Sequence, residues 1–282
     1  ESEGYEMKYQ FLRFPEFKTK AVTLSYDDAT VFDRDLIKIL DGYGLKCTFN
    51  VPTGFLGRNE KWLTLKETVE LYGNTSHEVA VHGHKHLALA EFSSDVMARD
   101  IIVNREQLEN AFGKPINGMA YAMGSFNDEV VETAKKCGIK YARTVDSTEN
   151  FDLPDDFLRW NPTCHHANAK LSELTDRFLN YGGDYGFGVV PKLFYLWGHS
   201  YEFDDCKNWD IIENFAKKVG GRDDVWYATN GEICEYLTAF KSLVTSVDFK
   251  RIYNPTAKTV WLDIYGCKYE VKSGEITETK GI

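Results

Sequence analysis

From Lys20 to Phe240, short apolar runs alternate with amphipathic stripes, and this alternation limits the fold more than any other feature. The runs read as buried strands over Lys20 to Tyr26, Leu45 to Val51, Val79 to Val81, Pro115 to Tyr121, Ile139 to Thr144, Lys192 to Trp197 and Val225 to Ala228. The stripes read as helices over Phe32 to Tyr43, Leu63 to Leu71, Ser94 to Phe112, Asp128 to Cys137, Trp209 to Val219 and Glu232 to Phe240. In the first of them Leu36, Ile37, Ile39 and Leu40 share a face, and Gly42 and Gly44 close it. Strands and helices in turn build a parallel sheet with helices outside, so the expected fold is α/β, a distorted (β/α) barrel. In such a barrel the functional ends of all strands face one way.

Two regions depart from the alternation. Asp146 to Gly188 reads as a long, loop-rich segment carrying Cys164-His165-His166 and Tyr181-Gly182-Gly183. From Leu243 onward the pattern turns to β, with strands expected over Val247 to Ile252, Thr259 to Tyr265 and Tyr269 to Val271, and turns at Asn254-Pro255 and Ser273-Gly274. The expected organisation is a barrel over residues 1–242, its first twenty residues an arm laid across it. A small β appendage over 243–282 packs against the barrel.

Composition narrows the function. A net charge of -10 disfavours nucleic acid and anionic membranes as partners. Aromatics at 14% exceed what a core alone needs and suit a cleft in which sugar rings stack. None of the six cysteines forms a Cys-x-x-Cys pair, so free buried thiols are expected, with room for one disulfide. No apolar run is long enough to span a membrane.

The chemistry gathers at strand ends. Val79 to Val81 delivers His82, and His86 follows four positions later. If the chain turns helically there, both imidazoles share a face and can grip one metal ion. The third ligand is expected from Asp27-Asp28, where Val22-Thr23-Leu24-Ser25-Tyr26 ends. A carboxylate beside two histidines leaves coordination positions open for water or substrate.

Ser-Tyr-Asp-Asp at 25–28, His-Glu-Val-Ala-Val-His-Gly-His-Lys-His at 77–86 and Ala-Tyr-Ala-Met-Gly at 120–124 have the order and spacing of the polysaccharide deacetylases, carbohydrate esterase family 4. The chain resembles that family over roughly Lys20 to Phe240. The resemblance implies a metal-dependent hydrolase that removes acetyl groups from a carbohydrate by metal-activated water. It assigns Asp27 as general base and Asp28, His82 and His86 as ligands of a divalent ion, with Zn2+ expected and Co2+, Ni2+ or Mn2+ as alternatives. It assigns a backbone N–H, here Met123, to the oxyanion, and His199 at the end of Leu193 to His199 as general acid.

The third motif departs from the family's Arg-Pro-Pro-Tyr-Gly and is closer to a branch reading Ala-Tyr-Pro-x-Gly. Tyr121, in that loop, is expected at the substrate or oxyanion, and Arg143 is the candidate for the missing guanidinium. Trp197 and Trp160 are candidates for a pocket wall. Asp146 and Glu202 are both candidates for the partner of His199. His77 and His84 are expected to be structural, as are His165 and His166. The implied substrate is a polysaccharide or oligosaccharide: an N-acetylglucosamine polymer or an O-acetylated xylan. Hydrolysis of non-sugar amides, or a carbohydrate-binding scaffold without catalysis, are the alternatives. Export to the periplasm or outside the cell is expected, with a cytoplasmic location as the alternative.

Overall fold

A computed structural model of the chain describes residues 9–182 and 189–281. The first eight residues of the expected arm, and 183–188 of the expected irregular segment, lie outside the described residues. After β1 (Leu12–Arg13) the chain alternates: β2 (Lys20–Asp27), α1 (Asp33–Gly42), β3 (Cys47–Val51), α2 (Leu65–Tyr72), β4 (Glu78–Val81), α3 (Ser94–Phe112), β5 (Gly118–Ala120), α4 (Asp128–Lys136) and β6 (Tyr141–Arg143). It continues through β7 (Cys164–His165), α5 (Leu171–Leu179), β8 (Lys192–His199), α6 (Ser200–Asp205), α7 (Asp210–Val219), β9 (Val225–Tyr227) and α8 (Asn230–Lys241).

The central sheet runs β6-β5-β4-β3-β2-β8-β7, with β9 added beside the first half of β2, and every ladder in it is parallel. All eight residues of β2 are buried. That explains its continuous apolar reading, because a parallel sheet is covered on both faces. This is the curled half of a (β/α) barrel, the expected fold class. The main core lies between the sheet and α1, α3, α4, α5 and α7, with Leu24, Phe49, Val81, Ile101, Val130 and Phe194 buried in it. Helix ends follow local chemistry: Thr64 and Glu67 cap each other before α2, and Gly113, at φ +64°, terminates α3.

The region 146–188 corrects the sequence reading. It contains β7 and α5, and α5 carries a legible stripe of Leu171, Leu174, Thr175 and Phe178, all buried. The expected strand Val247 to Ile252 is also displaced. Asp248 Oδ1 accepts the Lys250 N–H at 3.1 Å and the Ser246 hydroxyl at 2.7 Å, which makes a turn there. Pairing starts only at β11 (Arg251–Tyr253), flanked by β10 (Val244–Thr245) and β14 (Ile276–Glu278).

The remaining C-terminal strands, β12 (Val260–Ile264) and β13 (Cys267–Val271), form an antiparallel sheet with β1. Leu12 pairs with Leu262 and Arg13 with Trp261. The Tyr236 hydroxyl of α8 donates to the Arg13 carbonyl at 2.5 Å and accepts the Trp261 N–H at 3.0 Å. Arg13 also meets Asp263 at 3.2 Å. A second core of Phe11, Leu12, Phe14, Leu237, Phe240, Ile252, Val260 and Leu262 thus spans both sides of residue 242. The six cysteines are unpaired, four of them buried. Among the described residues no helix is long and apolar enough to cross a membrane.

Candidate active site

Strand register sets the centre of the site. In the parallel ladders Asp27 of β2 is the partner of Asn50 on β3 and of His199 on β8. Three polar side chains therefore end three neighbouring strands at one level. Beyond β2 the chain leaves through two left-handed residues, Asp28 at φ +82° and Ala29 at φ +52°. Non-glycine residues adopt that conformation only where surrounding contacts hold it, and here the Asp28 N–H donates to the Asn50 carbonyl at 3.0 Å.

The stretch after β4 is not helical, which corrects the premise of the sequence reading. Gly83 at φ +77° and His86 at φ +55° fold it as a loop. Asp100 of α3 accepts the Lys85 N–H on Oδ1 at 2.7 Å, and its carbonyl accepts the His84 N–H at 3.2 Å. The result still brings the two rings together, with centroids 4.8 Å apart. His84 turns aside to Thr53 Oγ1 at 3.0 Å.

Asp28, His82 and His86 present one oxygen and two nitrogens, all within 4.8 Å of one another. Asp28 Oδ1 lies 3.8 Å from His82 Nε2 and 3.6 Å from His86 Nε2, is buried, and has no hydrogen-bond partner among the described residues. His82 Nδ1 lies 2.9 Å from the Ala120 carbonyl, which can only accept, so the ring proton sits on Nδ1. That leaves the Nε2 lone pair facing the cluster, the tautomer a metal ligand requires. Burial, followed by the neighbouring His82, pushes His86 below its ordinary pKa, toward the neutral form that can ligate. An orphaned carboxylate oxygen facing a ligand-ready imidazole fits a divalent cation.

Asp27 lies beside this trio. Its Oδ2 is 3.6 Å from His82 Nε2 and receives Arg143 Nη2 at 2.5 Å, while Oδ1 receives Asn50 Nδ2 at 2.8 Å. Arg143 is fully buried, donates from Nε to Ser25 Oγ at 3.2 Å and from Nη1 to the Thr144 carbonyl at 3.1 Å, and stacks 4.3 Å over Trp197. Burial alone would raise Asp27, but Arg143, with His82, His199 and Asn50, outweighs it and holds the carboxyl at about 2. Arg143 therefore contacts the very carboxylate that lacks the motif arginine.

His199 Nε2 lies 3.8 Å from Asp27 Oδ2, and its Nδ1 lies 3.4 Å from Glu202 Oε1. Burial lowers the His199 pKa, but Glu202, Asp27 and Asp28 together raise it above its ordinary value. Glu202 rather than Asp146 is the carboxylate at this ring. A family model for polysaccharide deacetylases matches residues 15–142, a span that contains Asp27, Asp28, His82 and His86. Over that span the chain is similar to the polysaccharide deacetylases.

The same fold occurs in a provisionally named polysaccharide deacetylase from Mycobacterium smegmatis. It is 20% identical, with a TM-score of 0.61 over 84% of this chain and 96% of that one. The fold recurs in a CE4 family pseudoenzyme from Bacillus anthracis, 17% identical, with a TM-score of 0.50 over 79% of this chain and 70% of that one. In sequence, the chain is 25% identical over 145 residues to a poly-beta-1,6-N-acetyl-D-glucosamine N-deacetylase of Staphylococcus aureus, a match covering 46% of this chain and 50% of that protein. The chain thus spans about half the length of the curated relatives it matches.

The loop after β5 divides its residues. Met123 stands at φ +55° and is 70% exposed, while the N–H groups of Gly124 and Ser125 turn back to the Tyr121 and Ala122 carbonyls. Tyr121 corrects the sequence reading. Its ring stacks on Phe126 at 5.0 Å and its hydroxyl donates to the Leu158 carbonyl at 2.8 Å, so the side chain is part of the wall behind the loop. Trp197 is buried beneath Arg143, and Trp160 packs between Tyr141 and Tyr195 in the second core. His77 is structural: it accepts the Cys47 N–H at 3.0 Å and faces Asp41 at 3.2 Å. Phe55 beside His86, at 5.3 Å, and Tyr201 beside His199, at 5.2 Å, flank the cluster with ring faces.

Sequence reasoning missed Asn50 and Asn104. Asn104 Oδ1 accepts the His82 N–H at 2.9 Å, and its Nδ2 donates to the Val51 carbonyl and to Thr53 Oγ1, each at 3.0 Å. Its only sequence signal was a polar residue on the buried face of α3.

Proposed function

We propose that this chain hydrolyses acetyl groups from a carbohydrate, with the N-acetyl group of an N-acetylglucosamine polymer as first substrate and an O-acetylated xylan as second. The observation that carries this reading is the meeting of Asp28, His82 and His86 beside Asp27 and His199 at the end of one sheet. The Staphylococcus aureus relative, named for N-deacetylation of a glucosamine polymer, and the ring faces of Phe55 and Tyr201 support the substrate class. The chemistry of the donor set suits Zn2+, with Co2+, Ni2+ and Mn2+ accepted by the same ligands. Export is the location we infer, since polymers of this kind lie outside the cytoplasm.

Asp28, His82 and His86 would hold the ion. Bound there, a divalent ion supplies Lewis acidity, polarising the acetyl carbonyl and acidifying water. The rest of the reaction falls to the chain itself. Asp27, held ionised by Arg143 and Asn50, receives the proton of the attacking water. The Met123 N–H donates to the oxyanion as the carbonyl becomes tetrahedral. His199, charged with the help of Glu202, protonates the departing nitrogen, and acetate is released.

A scaffold that only binds sugar would need neither the Arg143–Asp27 pair nor a histidine raised by a carboxylate. The test measures acetate release and bound metal in the same preparations. His82→Ala is expected to lose both, whereas Asp27→Asn loses acetate release by about 100-fold or more and keeps the metal. Full activity in metal-saturated Asp27→Asn would refute the assignment of the base.

A further inference from the structure

Behind His199 lies a cluster that the reaction above uses only in part. Glu202 Oε1 faces His199 Nδ1 at 3.4 Å, while its other oxygen, Oε2, lies 3.1 Å from both His165 Nε2 and His166 Nε2. Two imidazole nitrogens around one carboxylate oxygen suit either a second cation or a hydrogen-bonded clamp. The far sides of the rings decide between these. His165 Nδ1 accepts the Ala167 N–H at 3.1 Å, so the proton of a neutral ring sits on Nε2 and points at Glu202. A metal would need that lone pair free.

His166 is fixed as a rigid plane. Phe203 lies 4.1 Å from it at 29° and Tyr26 5.8 Å away at 17°, one stacked contact from α6 and one from β2. Its Nδ1 sits so close to Gly198 that a Cβ there would come within 2.0 Å. His165 stands edge-on to Trp197 at 4.6 Å. Each ring therefore offers its Nε2–H to the same oxygen and leaves the other to His199.

We propose that His165 and His166 are positioning residues that clamp Glu202, so that its free oxygen holds His199 with Nδ1–H inward and Nε2 toward the substrate. This rests on the deacetylase reading, in which His199 protonates the leaving group. The clamp moves no proton itself; it selects which nitrogen of His199 delivers one.

The test compares two substrates with the metal-loaded chain. An N-acetylglucosamine oligomer has a departing amine that must be protonated, whereas 4-nitrophenyl acetate has a phenolate that leaves without a proton. Glu202→Gln and His166→Phe are expected to lower kcat on the oligomer about 10- to 100-fold with KM unchanged. On the aryl ester both lose far less than on the oligomer, because the phenolate leaves without a proton. His166→Gln, which keeps an N–H donor, is expected to recover most of the loss. Should His166→Phe fail to fold, Glu202→Gln carries the same contrast, its side chain being one-third exposed. Equal losses on both substrates, a change in KM alone, or a second bound zinc ion that His165→Gln removes would overturn the clamp. A parent enzyme that hydrolyses the ester but no N-acetylated oligomer would instead refute the deacetylase reading, and the clamp with it.

Discussion

Arg143 reaches Asp27 from a strand four positions away in the sheet and anchors itself on Ser25 and Thr144. A lysine has one donor head where this site uses three separate nitrogens. Arg143→Lys is expected to lower acetate release about 10- to 100-fold with bound metal unchanged, as read by steady-state kinetics beside elemental analysis. Asp33 makes a different prediction. It is fully buried, with the Tyr72 hydroxyl donating to Oδ2 at 2.5 Å, and burial pushes its carboxyl up to about 7. Between about pH 4 and 7 the folded chain keeps a proton that the unfolded chain has released, so stability falls as pH rises through that window. Asp33→Asn has no such proton to lose. Urea unfolding with chelator present should show its stability gaining on the parent between pH 5 and pH 8, by about 2 kcal/mol or more. At this scale Asp27, Asp28, His82 and His86 were legible because they sit at strand ends in a recognisable order. Asn50, Asn104 and the clamp around Glu202 were not, because their meaning comes from partners in other elements.

At the scale of elements, the loop after β4 depends on Gly83 more than on any helical spacing. Its φ of +77° is strained for other residues, and a Cβ would come within 2.5 Å of Asp100 Oδ2. Gly83→Ala is expected to destabilise the fold by about 1–3 kcal/mol and to weaken zinc binding, measured by thermal unfolding and by competition with a chelator. The strands and helices of the alternating region were legible because burial on both faces of a parallel sheet leaves uninterrupted apolar runs. The helix α5 was missed although it carries a stripe of its own, because histidines and glycines on either side obscured it. The strand β7 was not legible, since two residues carry no period.

For the whole molecule, the β strands after residue 242 close over the start of the chain. Removing 243–282 would strip β1 of its partner β12 and open the core that Leu12, Phe14, Leu237 and Phe240 share with Ile252 and Val260. A chain ending at residue 242 is expected to melt well below the chain of residues 1–282, or without a cooperative transition, in calorimetry. The sequence showed the change of texture at Leu243 but not this closure, because β1 is too short to be seen and its pairing spans the length of the chain.

The ladder that sets Asp27 opposite His199 has a consequence for how such a protein can diversify. The spacing of Asp27 and His199, the proposed proton acceptor and donor, is dictated by main-chain pairing, which surface insertions leave untouched. The segments bearing Phe55 and Tyr201 can therefore be lengthened, shortened or exchanged, reshaping the approach to the cluster, while Asp27 and His199 keep their spacing.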